Sequence, residues 1–313
     1  MIVVVRLLFA DVYILGINWF IKNGYVHVVG ENIEAVGEGE PPLEYQYAEM
    51  VGGGRDRLVV PGFTAYTIAS SYPFRALSSL SKLYKVVGKL SYEQAYYASL
   101  LAFYELSISG FTAVISVEPN PEPVARALYD SGLGGVVLIP LNCSELEPVD
   151  DPKKLLDDLL QKFRGRVRVG LLACSGERPS WIPEDAVVVD GEPPRRLVWN
   201  PWLMLGENVE DALAKLVLEP SKRLGLGEPL KPKSKANLVV VDVSEPPAWI
   251  PSSELIDWKW LAGSVPRVET VVSWGNIVVD GGQHLYVGPE ACRKARQVLA
   301  EAIEKIEKLA GDG

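Results

Sequence analysis

Histidine is the scarcest chemistry-bearing residue of this 313-residue chain: there are two, His27 and His284, near opposite ends. A metal centre built on clustered imidazoles is therefore excluded from the long middle of the sequence, and so is a histidine general base there. Cysteine is nearly as rare. Cys143, Cys174 and Cys292 show none of the paired spacing of a zinc or thioredoxin-like motif, and an odd count fits a reducing cytoplasm. Apolar runs stay far below the roughly 20 residues that a membrane-spanning helix requires. The first residues carry Arg6 and Asp11 within an apolar stretch, so they read as strand and not as an export signal. Positive charge is in deficit, with 31 Lys and Arg against 40 Asp and Glu. The resulting field disfavours nucleic acid and anionic membranes as partners. Asparagine and glutamine are sparse beside 23 prolines, a composition that leans towards a thermophile. A Gly-x-Ser-x-Gly elbow, a phosphate-binding loop and a dinucleotide fingerprint are all missing.

What is present falls into three stretches. The first sixty residues are rich in strands, and Asn23-Gly24 is expected to turn Trp19–Lys22 back into Tyr25–Val29 as a hairpin. From Pro61 strands and helices alternate. Tyr92–Ser107 has apolar residues at helical spacing, and Ser91 with Gln94 forms a capping box. Strands follow at Thr112–Val117, Gly135–Leu141, Val167–Ala173, Ala186–Val189 and Leu197–Trp199. Helices are expected at Pro121–Tyr129, Pro152–Phe163 and Val209–Leu218. This alternation predicts an α/β fold with a parallel sheet under helical cover. After Lys235 strands return: Ala236–Val243, then Glu269–Ser273 and Asn276–Val279 around a Trp274-Gly275 turn, then Gln283–Val287. A closing helix from Pro289 carries its apolar stripe on Cys292, Ala295, Leu299, Ala302, Ile306 and Leu309.

Four segments, in order, resemble the amidohydrolase superfamily, in particular its cytosine-deaminase-like and chlorohydrolase-like branch. Arg57–Ser71 (RLVVPGFTAYTIASS) is similar to the opening barrel strand, where the family has Pro-Gly-Phe and then His-x-His. Ser107–Val114 (SISGFTAV) is similar to the approach to the second strand. Leu218–Val243 resembles the late Leu-Gly-Leu and Leu-Val-Val-Val-Asp stretch, with Asn237 where aspartate is usual. Val268–Gln283 (VETVVSWGNIVVDGGQ) resembles the closing strands. The resemblance implies a truncated or incomplete (β/α) TIM-like barrel in residues 61–235. That span is shorter than the roughly 200 residues a closed barrel needs. It also implies a small composite β-sandwich domain from residues 1–60 and 236–313, carrying the C-terminal helix. His27 and His284 would then be polar strand residues on solvated faces of that sandwich.

The family's two metal-binding histidines fall at Thr67 and Ala69, neither of which ligates a metal as histidine does. Residues following the predicted strands should gather at the C-terminal face of the sheet, where such folds build their sites. They are Thr67 and Ser70, Ser116 and Glu118, Asn142 and Cys143, Cys174 and Ser175, Asp190, and Asn200. Thr67, Ala69, Glu118, Asn142, Cys143, Cys174, Asp190 and Asn200 are the pocket candidates, with no catalytic residue and no metal ligand assigned among them. The sequence thus reads as a degenerate hydrolase homologue, a pseudoenzyme acting as a binding or scaffold protein in the cytoplasm without a cofactor. Two alternatives stay open. One is deaminase-like hydrolysis of carbon–nitrogen bonds at a metal-independent or unusually liganded site, with zinc as the alternative cofactor. The other is a small-molecule sensor. A homodimer or a related amidohydrolase subunit is the expected partner, and Trp199–Trp202 with Trp249–Trp260 are expected to cover the gap left by missing barrel units.

Overall fold

A computed structural model describes residues 5–50, 53–76, 80–146, 148–176, 178–183 and 186–311. The expected strand character of residues 2–4 and the side chains of Ile306 and Leu309 lie outside that description. The chain forms two compact units: residues 1–64, 106–113 and 199–285 make the first, and residues 65–105, 114–198 and 286–313 the second.

The first unit is built on a sheet drawn from both ends of the sequence. Its N-terminal strands are β1 (Arg6–Leu15), β2 (Phe20–Val29), β3 (Asn32–Glu38), β4 (Glu49–Met50) and β5 (Arg57–Pro61). Five strands form the other sheet: β6 (Phe63–Thr67), β7 (Phe111–Val117), β8 (Gly134–Leu141), β9 (Val167–Ala173) and β10 (Val187–Asp190). The C-terminal strands are β11 (Leu238–Asp242), β12 (Arg267–Ser273), β13 (Asn276–Asp280) and β14 (Gln283–His284). Across the larger sheet the order is β14-β13-β12-β11-β5-β1-β2-β3, with β4 beside β1. β11 pairs with β5 along its whole length, Leu238 opposite Pro61 and Asp242 opposite Arg57, so this rung of backbone bonds joins the two ends of the chain. Leu7, Phe9, Val26, Val59, Val240 and Val272 are buried in one cluster on this sheet.

Two local expectations are settled here. Trp274-Gly275 is the turn between β12 and β13, with both residues at positive φ (48° and 75°), as a two-residue hairpin of matched twist demands. Asn23-Gly24 is not a turn. It lies inside β2, which runs unbroken from Phe20 to Val29 and pairs with both β1 and β3. Gly24 serves close approach instead, since a Cβ there would sit 2.8 Å from the Gly37 carbonyl oxygen.

The family-like motifs meet within this first unit and have a steric explanation. A Cβ on Gly62 would lie 2.1 Å from Thr112 Oγ1, so the glycine of Pro-Gly-Phe is what lets β6 approach the start of β7. The Gly62 N–H donates to the Asn237 carbonyl, and the Asn237 side-chain oxygen accepts from the Trp274 N–H at 3.0 Å. Ser273 Oγ donates to the Thr112 carbonyl at 2.7 Å. All four motifs are therefore tied into one interlock of backbone and small polar groups. Trp202 is buried beside it, its indole N–H donating to the Ser109 carbonyl and its ring edge-on to Phe63. Trp258 packs on Phe63 as well and donates to the Gly16 carbonyl, whereas Trp249 is half exposed.

The five-stranded sheet has the order β10-β9-β8-β7-β6, with β8, β9 and β10 in parallel register. It is the truncated, TIM-like α/β barrel that the sequence implies. Helices α1 (Leu80–Val87) and α2 (Tyr92–Ile108) connect β6 to β7, α3 (Pro121–Asp130) connects β7 to β8, and α4 (Pro152–Lys162) connects β8 to β9. Ser91 and Gln94 make the reciprocal capping bonds ahead of α2, and the Asp151 carboxylate accepts from the Lys154 N–H ahead of α4. β7 and β8 are buried at every position, the mark of parallel strands covered on both faces. No helix intervenes between β9 and β10 among the described residues, and Leu197–Trp199, expected as a strand, is irregular. The irregular segment before it, directly after β10, has a role. Tyr66 on β6 donates its hydroxyl to the Glu192 carbonyl, and Tyr84 on α1 donates to the Pro194 carbonyl. The segment following one edge strand is thus fastened to the opposite edge strand, closing a sheet that lacks its later strands. Pro193 and Pro194 are buried in that closure.

The rest of the chain is helical cover. The first unit carries α5 (Pro201–Glu207), α6 (Val209–Leu213), α7 (Glu219–Leu224) and α8 (Trp258–Ala262), and the second ends in α9 (Pro289–Gly311). The helix expected over Val209–Leu218 begins as α6 and continues as a π-type turn over Ala214–Leu218 before α7. Ala295, Leu299 and Ala302 of α9 are buried.

Candidate functional site

The C-terminal ends of β6 and β7 hold a cluster of buried polar side chains in the second unit. Thr67 ends β6, and the chain then turns through Ala69–Phe74 in a tight helical turn. Ser116 lies on β7, and Glu118 follows it with its N–H still bonded to Leu138 on β8 at 2.9 Å. That rung holds the Glu118 backbone in the sheet and directs its side chain at the turn after β6. Its carboxylate is 0 % exposed and accepts three bonds: Ser70 Oγ at 2.5 Å, Ser116 Oγ at 2.6 Å and the Ser70 N–H at 3.3 Å. The Ala69 N–H in turn donates to Ser116 Oγ at 3.0 Å.

Full burial pushes the Glu118 carboxyl up to about 7, against the opposing pull of the bonds from Ser116 and Ser70. The cradle donates to both carboxylate oxygens and is closed to bulk solvent. Thr67 Oγ1 is also buried and has no hydrogen-bond partner among the described residues. Chemically the cluster can hold or release one proton inside the protein. It offers no exposed nucleophile.

The sequence-predicted site residues divide accordingly. Thr67, Ala69, Ser70, Ser116 and Glu118 are brought together. Asn142, exposed and at positive φ (55°), sits just past β8 beside a cavity of about 280 Å³. Cys143 and Cys174, considered as thiols in the sequence reading, are instead joined in a disulfide between the ends of β8 and β9. Adjacent parallel strands put them side by side, a pairing that spacing along the chain does not reveal. Asp190, at the end of β10, is exposed and ion-paired with Arg178, whose hydrogen bond holds its carboxyl below the ordinary range. Asn200 belongs to the first unit and caps α5, its side-chain oxygen accepting from the Trp202 and Leu203 N–H groups. It follows no strand. The two histidines also depart from expectation. His27 is buried and stacked on Tyr45 at 4.0 Å, and His284 is half-buried with its imidazole held down to about 4 by desolvation. β2 is covered at that point, so its polar residue does not face solvent.

These donors do not fit a tetrahedral hydrolytic centre with an open position. Ala69 offers no donor atom, and the Glu118 oxygens are already engaged by three donors. Both sulfurs near the mouth are in a disulfide, and the Asp190 carboxylate is committed to a guanidinium. Among the described residues no group of three or more His, Cys, Asp or Glu could hold a metal ion. Sequence reasoning missed Tyr66 and Tyr84, whose hydroxyls fasten the closing segment. An aromatic hydroxyl on a strand or helix carries no signal of a partner more than a hundred residues away.

Comparison with known proteins gives a consistent picture. No protein-family model matches the chain. It is 25% identical over 164 residues to 5-methylthioadenosine/S-adenosylhomocysteine deaminase of Syntrophomonas wolfei, covering 49% of this chain and 38% of that protein. It is 28% identical over 162 residues to the enzyme of the same name from Thermoanaerobacter pseudethanolicus, covering 47% and 37%. The matched stretch thus spans well under half the length of those relatives. Among solved structures it is similar to atrazine chlorohydrolase from Arthrobacter aurescens complexed with zinc, with a TM-score of 0.70 at 13% identity over 96% of this chain and 100% of that one. It is likewise similar to an adenosine deaminase from Xanthomonas campestris with bound zinc, with a TM-score of 0.71 at 12% identity over 96% and 99%. Among the described residues no helix is long and apolar enough to cross a membrane.

Proposed function

We propose that this chain, which resembles the amidohydrolase superfamily in sequence and carries its fold, is a degenerate homologue that binds or scaffolds and does not perform metal-dependent hydrolysis. One observation carries the reading. The two positions that correspond to the family's first-strand histidines are Thr67 and Ala69. The acidic side chain nearest them, Glu118, is turned inward and spent on Ser70 and Ser116. A hydrolytic site needs a polarised water beside an accessible substrate. A carboxylate that is fully buried serves the fold instead. We propose as its partner a second copy of the chain or a related amidohydrolase subunit.

A second reading has one observation in its favour. A carboxyl poised near neutral pH is what a general acid–base needs, and the relatives by sequence are named as deaminases. On that reading Glu118 would become accessible and work on an amine-bearing nucleoside. The two readings part in a deamination assay with 5-methylthioadenosine and S-adenosylhomocysteine, run with and without added zinc. The first predicts no turnover above buffer in either condition. Zinc-dependent turnover that Glu118→Gln abolishes would replace it with the second.

A further inference from the structure

A cavity of about 10 Å³ lies in the first unit, beside the point where the family-like motifs meet. Pro61 and Gly62 line it from the strand side, Ser221 and Leu226 from α7 and the turn after it, and Ser234 with Asn237 from the approach to β11. Asn237 is the residue through which the interlock runs, and three of its four polar groups are accounted for. Its backbone N–H donates to the Lys235 carbonyl at 2.8 Å, its carbonyl accepts from the Gly62 N–H at 3.0 Å, and its side-chain oxygen accepts from the Trp274 N–H at 3.0 Å. A backbone N–H can only donate, so Trp274 fixes which end of the amide is oxygen. Asn237 forms part of the cavity wall and Trp274 does not, so Nδ2 is the end that faces the cavity. That nitrogen is buried, in a residue only 8 % exposed, and has no hydrogen-bond partner among the described residues.

The walls decide what this donor can meet. A buried amide N–H without an acceptor is costly, and native proteins answer it with a protein group or an ordered water. A cavity of this volume has room for one water and for no carbon-bearing ligand. An anion would need several converging donors, and the wall has spent its own. The N–H groups of Gly62, Leu226, Ser234, Lys235 and Asn237 all go to protein carbonyls, and the Lys235 ammonium is paired with Glu31 at 2.9 Å. Acceptors are at hand instead. Ser234 Oγ donates to the Lys231 carbonyl at 2.6 Å, which leaves its lone pairs to accept, and the Ser221 hydroxyl belongs to the same wall.

We propose that this cavity is a binding site for one structural water. The water accepts from Asn237 Nδ2 and donates its hydrogens to the Ser221 and Ser234 hydroxyls, a set of partners typical of a buried water. All four polar groups of Asn237 are then satisfied, as a buried hub requires. The water ties α7 to the residue that also holds Gly62 and Trp274, so segments from both ends of the chain meet on one hydrated amide.

The test is a crystal structure of the full chain, with and without a bromide soak, joined to NMR of the Asn237 side-chain amide in solution. The site predicts one ordered water within about 3.2 Å of Nδ2 and of both serine hydroxyls, and no bromide at that position. In solution the Asn237 amide protons, identified by their loss in Asn237→Asp, should give cross-peaks to water of opposite sign in NOE and ROE spectra, the mark of a water that stays bound. Ser221→Ala combined with Ser234→Ala removes both acceptors and keeps the amide, and the cross-peaks should be lost. A protein carbonyl within bonding reach of Nδ2, a side chain filling the cavity, or bromide in the water's place would overturn the proposal. So would cross-peaks that are absent from the parent or unchanged in the double variant.

Discussion

Replacing Glu118 by glutamine isolates a carboxyl group that the fold encloses completely. An unfolded glutamate ionises near 4.5, and this one is held up to about 7 in the folded chain. The sign follows from which state keeps the proton. Between those two values the unfolded chain has released a proton that the folded chain retains, so stability falls as pH rises. Below 4.5 both states are protonated and the full native advantage is present. Above about 7 it is gone, and the loss is about 3 kcal/mol at 1.36 kcal/mol per unit. Glutamine cannot titrate but keeps the shape and one acceptor oxygen. Urea unfolding of both proteins from pH 4.5 to 8 should therefore show glutamine gaining on glutamate by about 3 kcal/mol across that window. Glu118→Ala is the control for the cradle. It leaves the Ser70 and Ser116 hydroxyls without their acceptor at all pH values, at about 1 to 3 kcal/mol for each group stranded. A glutamine-minus-glutamate difference that stays flat with pH would refute the reasoning, because Glu118 would then ionise as an ordinary solvated carboxylate.

Other perturbations probe the interlock and the closure. Gly62→Ala places a Cβ 2.1 Å from Thr112 Oγ1 and should cost about 1 to 3 kcal/mol by thermal unfolding, partly recovered in a Gly62→Ala, Thr112→Ala double variant. Trp202→Ala removes a buried ring and its bond to the Ser109 carbonyl and should cost about 3 to 5 kcal/mol; a loss below 1 kcal/mol would show that the ring is not a core element. Reducing the disulfide releases a closure spanning 31 residues, which should lower stability by about 3 to 4 kcal/mol in denaturant titrations, and C143S/C174S should show no response to reductant. Tyr66→Phe and Tyr84→Phe each remove one fastening of the closing segment, so limited proteolysis should cut near residue 195 faster in the double variant than in the parent.

The sequence carried the fold through patterns that are local. The strands and helices that alternate from Tyr92 to Val189, the Ser91 capping box and the Trp274-Gly275 turn each depend on neighbours within a few residues, and each appears where it is expected. The ordered motifs were legible as well, because Gly62 and Thr112 are constrained by a close approach that few residue pairs allow. Contacts set by distant chain were not legible. The Cys143–Cys174 pairing depends on β8 and β9 lying side by side, and the closing role of Glu192–Pro194 depends on which edges the shortened sheet leaves free. Asn23-Gly24 shows the opposite failure. A dipeptide with strong turn preference was overridden because β1 and β3 flank it and hold β2 extended. For the site, the position of Glu118 was foreseen but its inward orientation was not, since one residue on a strand end can face either cavity or core.

Metal content tests the central claim most directly, because the account rests on a barrel whose opening strand ends at Thr67, with Ala69 in the turn beyond it, and whose buried Glu118 carboxylate is occupied. The full chain would be purified from zinc-supplemented medium, passed through a chelator wash and assayed by plasma mass spectrometry, with Glu118→Gln in parallel. The account predicts zinc well below one ion per chain in both proteins and no deamination of 5-methylthioadenosine. About one zinc per chain that survives the wash, falls in Glu118→Gln and tracks with turnover would contradict it.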